Sequence, residues 1–147
     1  MITYMHKNTY EILYDSPGDD CFIIDELIAL PIQVLNRKGY FTEFCCAGHP
    51  FENDWDEFDS MIVFKEGISL PLLPTGWKVF DNLNPDIVWS NVPEGQEHRP
   101  ELDKRLHIEK IYPNLNRGFY VIYLDILKSM EELYTWALKL PNYAGNL

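Results

Sequence analysis

The stretch Ile23-Ile24-Asp25-Glu26-Leu27-Ile28-Ala29-Leu30-Pro31-Ile32-Gln33-Val34-Leu35-Asn36-Arg37-Lys38-Gly39-Tyr40-Phe41-Thr42-Glu43-Phe44-Cys45-Cys46 decides the fold class, because two periodicities meet inside it. Ile24, Leu27, Ile28, Pro31, Ile32 and Leu35 recur at three- and four-residue spacing and share one face of a predicted helix over 23–38. Asp25 and Glu26 early and Arg37-Lys38 late complement the helix dipole, and Gly39 supplies the stop. Pro31 lacks the N–H that an interior turn needs, so the helix either kinks there or starts anew with Pro31 near its first position. From Tyr40 to Cys46, aromatic and β-branched residues take over, which predicts a strand.

Outward from this unit, Met61 to Phe64 is a second short apolar run, expected to pair antiparallel with the first strand. Trp77 to Phe80 and Ile87 to Trp89 are strand candidates around an Asn-Leu-Asn-Pro turn, and Leu106 to Ile111 alternates as a strand does. The apolar positions from Phe119 onward fit a helical face, while Phe119 to Leu124 is also rich enough in strand formers to be extended. Ser129 with Glu132 resembles a capping box that would start a shorter helix; on either reading residues 130 to 139 are helix and Pro141 ends it. The prediction is a single α+β domain over 1–147 in two layers, a mainly antiparallel sheet of four or five strands packed against two helices.

Composition narrows the function classes. With 46% hydrophobic residues over 147 positions the chain has ample apolar area for a core, and no internal repeat divides it. Acids outnumber bases 23 to 12, a net charge of −11 that disfavours nucleic acid and anionic membrane as partners. Three cysteines, two of them adjacent, make no disulfide framework, so a reducing cytoplasm is the expected compartment. The sequence shows neither a signal peptide nor an apolar run approaching the ~18 residues of a membrane span.

Chemistry concentrates in Phe44-Cys45-Cys46-Ala47-Gly48-His49-Pro50, where a strand runs into a turn carrying thiols and an imidazole. Cys46 and His49 are candidate ligands of a divalent metal, since thiolate and neutral imidazole are the usual zinc donors. A strand sends Cys45 and Cys46 to opposite faces, so at most one of them shares a site with His49. The remaining nitrogen and sulfur donors are Cys21, His6, His98 and His107, none at paired spacing. Cys46 as a nucleophile with His49 as its base is a second reading, opposed by the nearby acids Glu52 and Asp54, which would raise a thiol pKa. Gly48 permits positive φ, as a turn glycine does.

Beyond the turn, Glu52 to Asp59 holds five carboxylates in eight residues with no base and is expected to be a solvated loop. It fails the calcium-loop pattern, because counting from Asp54 the fifth position is Phe58 and the sixth is not glycine. The interleaved Trp55 and Phe58 suit an acidic-aromatic patch that docks a basic partner protein, with Asp54 and Asp56 in the candidate site beside Cys46, Gly48 and His49.

Leu35-Asn36-Arg37-Lys38-Gly39-Tyr40-Phe41-Thr42 followed by Phe44 to His49 resembles a family of small uncharacterised proteins of Gram-positive bacteria and their phages, marked by Leu-Asn-x-x-Gly-Tyr and then Cys-x-x-Gly-His. Leu73-Pro74-Thr75-Gly76-Trp77 and Trp136-Ala137-Leu138-Lys139-Leu140-Pro141 fit the same pattern. The resemblance brings no activity with it. Over residues 25 to 65 the chain is also distantly similar to the wybutosine-synthesis tRNA methyltransferase domain, with Cys46, Gly48 and His49 opposite a Cys, a Gly and an Arg. The expectation is a cytosolic, phage-derived accessory or binding protein with its site at this turn and the adjacent acidic loop. The alternative is a metal-dependent or nucleotide- or RNA-modifying enzyme using Cys46 and His49.

Overall fold

The structure, a computed structural model, describes residues 3–14, 18–48, 58–79, 105–112 and 119–143. Among these residues the fold is α+β, with two antiparallel sheets and two α-helices. The strand candidate Ile87 to Trp89 and residue Phe80 lie outside the described residues, as do His49, Asp54, Asp56 and His98.

The first sheet is built from β1 (Thr3–His6), β2 (Ile12–Leu13) and β3 (Cys21–Ile24), in the order β2-β1-β3. Its first turn is held by an imidazole: His6 Nδ1 accepts from the N–H groups of Asn8 (3.1 Å) and Thr9 (3.2 Å). Ile23 and Ile24 fit the helical periodicity, yet they belong to β3 and pair with Tyr4 and Thr3. Partners some twenty residues away override the local pattern, and β-branched residues accept an extended conformation readily.

Asp25 ends the strand and caps the next segment, its Oδ1 accepting from Leu27 N–H at 3.1 Å. A 3-10 turn over Glu26–Ile28 leads into α1 (Ala29–Arg37), so the helix starts later than its periodicity predicts. Pro31 falls in the first turn of α1, where its missing N–H costs nothing, which selects the fresh start over the kink. The C-terminus closes as a Schellman motif: Gly39 sits at φ 95°, Gly39 N–H reaches Asn36 C=O, and Tyr40 N–H reaches Leu35 C=O.

The second sheet holds β4 (Thr42–Cys46), β5 (Phe58–Phe64), β6 (Lys78–Val79) and β7 (His107–Tyr112), ordered β4-β5-β7-β6. Phe58 and Asp59, expected in the solvated loop, instead open β5, where pairing with Tyr112 and Ile111 of β7 makes them extended. The expected antiparallel pairing of the strand ending at Cys46 with Met61 to Phe64 is present, Cys46 opposite Met61 and Cys45 opposite Ile62. Phe119–Lys139 is one helix, α2, so the extended alternative for its first residues gives way. Ser129 is no cap but a buried interior position of that helix. Buried Ile122, Ile126, Met130, Leu133 and Ala137 form the helical stripe that the periodicity predicts.

One buried cluster joins Met5 and Ile24 of the first sheet, Ile28, Ile32 and Leu35 of the α1 region, Ile62, Phe64 and Ile108 of the second sheet, and the α2 stripe. The helices are tied at their ends as well. Lys38 Nζ donates to the carbonyls of Ala137 (3.0 Å), Leu138 (2.6 Å) and Leu140 (2.5 Å), a cation capping the C-terminus of α2. Tyr40 OH donates to Pro141 C=O at 2.7 Å, and Tyr143 N–H to Lys38 C=O at 2.8 Å. Trp136 Nε1–H reaches Leu72 C=O at 3.0 Å, so this tryptophan packs its ring in the core and satisfies its polar edge. No helix among the described residues is long and apolar enough to cross a membrane.

Replacing Lys38 by Met keeps the apolar stem and removes the cap. Urea unfolding at neutral pH should show a loss of about 1–2 kcal/mol relative to wild type; an unchanged midpoint would show that water caps these carbonyls as well as the ammonium does.

Candidate functional site

The turn after β4 is fixed from three directions. Asp25 spends its second oxygen on it, Oδ2 accepting from Ala47 N–H at 3.2 Å, so one carboxylate holds both the 3-10 turn before α1 and the end of β4. Ser60 Oγ donates to Ala47 C=O at 2.8 Å from the neighbouring strand β5. Gly48 N–H points to Cys46 Sγ at 3.4 Å. Ala47 is fully buried, so these bonds satisfy backbone groups that water cannot reach.

Behind the turn runs a buried line of hydroxyls. The Ser60 proton is used toward Ala47, so in the 2.9 Å contact between Ser60 Oγ and Tyr112 OH the phenol is the donor. Ser129, a buried residue of α2, is a further hydroxyl neighbour of this phenol. Burial raises the Tyr112 pKa; the neighbouring Ser129 and Ser60 hydroxyls lower it, while Asp125 and Glu132 raise it further. A phenol so placed is a neutral structural donor.

Gly48 is required on two counts. Its φ is 104°, and a Cβ there would come within 3.1 Å of Ile126 Cδ1 and 3.5 Å of Asp59 C=O. The turn glycine of the sequence is therefore also the place where the backbone meets α2.

The two adjacent thiols have separate surroundings. Burial first, then Asp25 and then Cys46, push the Cys45 thiol up from 9.0 to about 12, so it is protonated at neutral pH. Cys46 stands at the turn beside Gly48 N–H. Of the sequence-derived site, the structure brings Cys46 and Gly48 together; His49, Asp54 and Asp56 lie outside the described residues. His6 and Cys21 sit opposite each other in the first sheet, and His107 begins β7. Among the described residues no group of three or more His, Cys, Asp or Glu is gathered so that it could hold a metal ion.

Sequence reasoning reads Asp25 only as a helix-dipole carboxylate and Asn36 only as a motif residue, and it passes over Ser60 and Tyr112; Asp25 and Ser60 hold the turn, backed by Tyr112. Asn36, buried on α1, donates Nδ2 to Ile32 C=O (2.8 Å) and Thr42 Oγ1 (2.9 Å) and accepts Thr42 N–H at Oδ1 (3.0 Å), locking helix to strand. A polar residue on the apolar face of a helix is the available signal for Asn36. Ser60 and Tyr112 carry none, because their meeting depends on strand pairing.

Both the thiol and the glycine have measurable consequences. Since the folded Cys45 thiol has a raised pKa, its contribution to stability is complete below about pH 9 and is lost as pH rises toward about 12. The urea-midpoint difference between wild type and Cys45→Ala should shrink between pH 8 and pH 10.5, and a constant difference would refute the raised pKa. Gly48→Ala should cost about 1–3 kcal/mol in the same assay, whereas Gly18→Ala, with no atom within 4 Å of the new Cβ and a φ of 67°, isolates the cost of backbone strain alone.

The comparisons with known proteins set this geometry beside no precedent: no protein-family model, no curated protein and no solved structure matches the chain.

Proposed function

We propose that the protein is a binding protein whose recognition surface starts at the turn Cys46-Ala47-Gly48, continues through His49 into the carboxylate-rich residues Glu52 to Glu57 that precede β5, and takes a basic protein partner. The observation that carries this reading is how the turn uses its polar groups. Ala47 N–H is taken by Asp25, Ala47 C=O by Ser60, and Gly48 N–H by Cys46 Sγ. A cysteine nucleophile at position 46 would want those N–H groups aimed at a developing oxyanion. Spent on the fold, they make the turn a rigid base from which an acidic segment departs.

Charge supports the same reading. A chain of net charge −11, with four carboxylates and Trp55 in the six residues before β5, attracts and orients a basic surface and repels polyanions. The competing reading, a metal-dependent or nucleotide- or RNA-modifying enzyme, needs Cys46 and His49 to act together on a bound group.

Two measurements separate them. Fluorescence anisotropy with a labelled arginine-rich peptide should show salt-sensitive binding that Asp54→Asn with Asp56→Asn weakens by about fivefold or more, while Glu66→Gln with Glu131→Gln, equal in charge removed, leaves it nearly unchanged. Equal losses in both double variants would reduce the effect to net charge and sink the proposal. Native mass spectrometry of untagged wild type, Cys46→Ala and His49→Ala checks the alternative: stoichiometric metal in wild type, lost in both folded variants, would replace the binding reading with the enzymatic one.

A further inference from the structure

A second surface lies on the other side of β4. β3 and β4 are each the terminal strand of their sheet, and residues of both line a cleft of about 500 Å³. Its walls include Phe22 and Ile23 from β3 and Phe44 from β4, and Lys7 and Lys65 also line it. Ile23 is 72% exposed and Phe44 55%, unusual for large apolar side chains in neighbouring positions on a chain with so many charges.

Among the described residues, the edge of β4 is closed at both ends and open between them. Asn36 takes Thr42 N–H at one end, and Asp25 takes Ala47 N–H at the other. Among the described residues, the backbone of Glu43, Phe44 and Cys45 makes no hydrogen bond outside its ladder with β5. The register shift between Thr42 and Phe44, at Glu43, interrupts that edge and keeps it short, which disfavours long strand-on-strand association between copies.

The cleft also has a charge preference. Lys7 and Lys65 are exposed and neither makes an ion pair among the described residues; Lys65 Nζ stands 5.9 Å from the Phe41 ring centre. Of the acids that line the cleft, Asp25 has both oxygens occupied by backbone N–H groups, which leaves Glu43. An open strand edge selects an extended backbone, the exposed rings and branched chains select apolar side chains, and the two ammonium groups select a carboxylate.

We propose that this cleft binds an extended peptide segment of a partner protein, about four residues long, that adds as a strand to the edge of β4. Its apolar side chains pack on Ile23 and Phe44, and an acidic residue faces Lys7 and Lys65. This site is independent of the acidic surface proposed above, takes the opposite charge, and stands or falls by different variants.

The test is selection from a phage-displayed library of random octapeptides on the folded full chain, then anisotropy with the enriched peptides at physiological ionic strength. The expected consensus alternates apolar residues and carries Asp or Glu. Phe44→Lys and, separately, Ile23→Lys should each weaken binding by about tenfold or more, and Lys7→Glu with Lys65→Glu by about fivefold. Both apolar sites are exposed, so the variants should keep the wild-type urea midpoint, and agreement between them guards against a misfolded one. Hydrogen exchange with bound peptide should slow at Glu43 to Cys45. No enriched sequence, enriched peptides that bind Phe44→Lys and Ile23→Lys as well as wild type, or protection confined to other strands would each overturn the proposal. So would a wild-type dimer in sedimentation that Phe44→Lys dissolves, since a second copy would then occupy the cleft.

Discussion

The Asp25 carboxylate is the point on which the rest of the arrangement turns. One oxygen starts the helical segment and the other holds the end of β4, so residues 22 apart in sequence are fixed by a single side chain. Because Asp25 directly succeeds β3, it also sets where the first sheet stops relative to the second. The acid then reaches into chemistry: it is one of the charges that keep the Cys45 thiol protonated. A group that could have been an ordinary helix cap thus decides the geometry of a turn and the reactivity of a neighbour.

The opposite side of the same turn depends on hydroxyls. Ser60 of β5 and Tyr112 of β7 hydrogen-bond each other in the interior, and Ser60 carries the line on to Ala47 C=O. Such a line is favourable only when complete, because each member would otherwise be a buried polar group without water. It ties the turn to the sheet while Asp25 ties it to α1, and Gly48 lets α2 close over it at contact distance. Rigidity is the property that these interactions share, and it suits recognition by a preformed surface.

Much of this is readable in the chain. The helix-strand unit, its antiparallel partner strand, the strand through Ile108 and the long C-terminal helical face all rest on periodicity and on Gly39, which act locally. The first sheet is not readable, since Ile23 and Ile24 satisfy a helical spacing and only their pairing with β1 makes them extended. In the candidate site, Cys46 and Gly48 stand out by residue type, whereas Ser60 and Tyr112 are ordinary strand residues until register sets them diagonally across the β5-β7 ladder. The Leu-Asn-x-x-Gly-Tyr pattern has a physical reading: Asn36 anchors Thr42, Gly39 closes α1, and Tyr40 bonds the segment after α2. Those motif positions serve the fold, so their presence carries no information about catalysis.

The Lys38 ammonium reaches carbonyls 99, 100 and 102 residues further along the chain. During synthesis, at roughly 5–20 residues per second, α1 therefore waits about 5–20 s for the helix that covers it. For that interval the apolar face of Ile28, Ile32 and Leu35 lacks its α2 partners, although the residues of the first sheet have already been synthesised. The nascent chain is thus a natural client for a chaperone on the ribosome, and a pause before residue 137 would lengthen its exposure to aggregation.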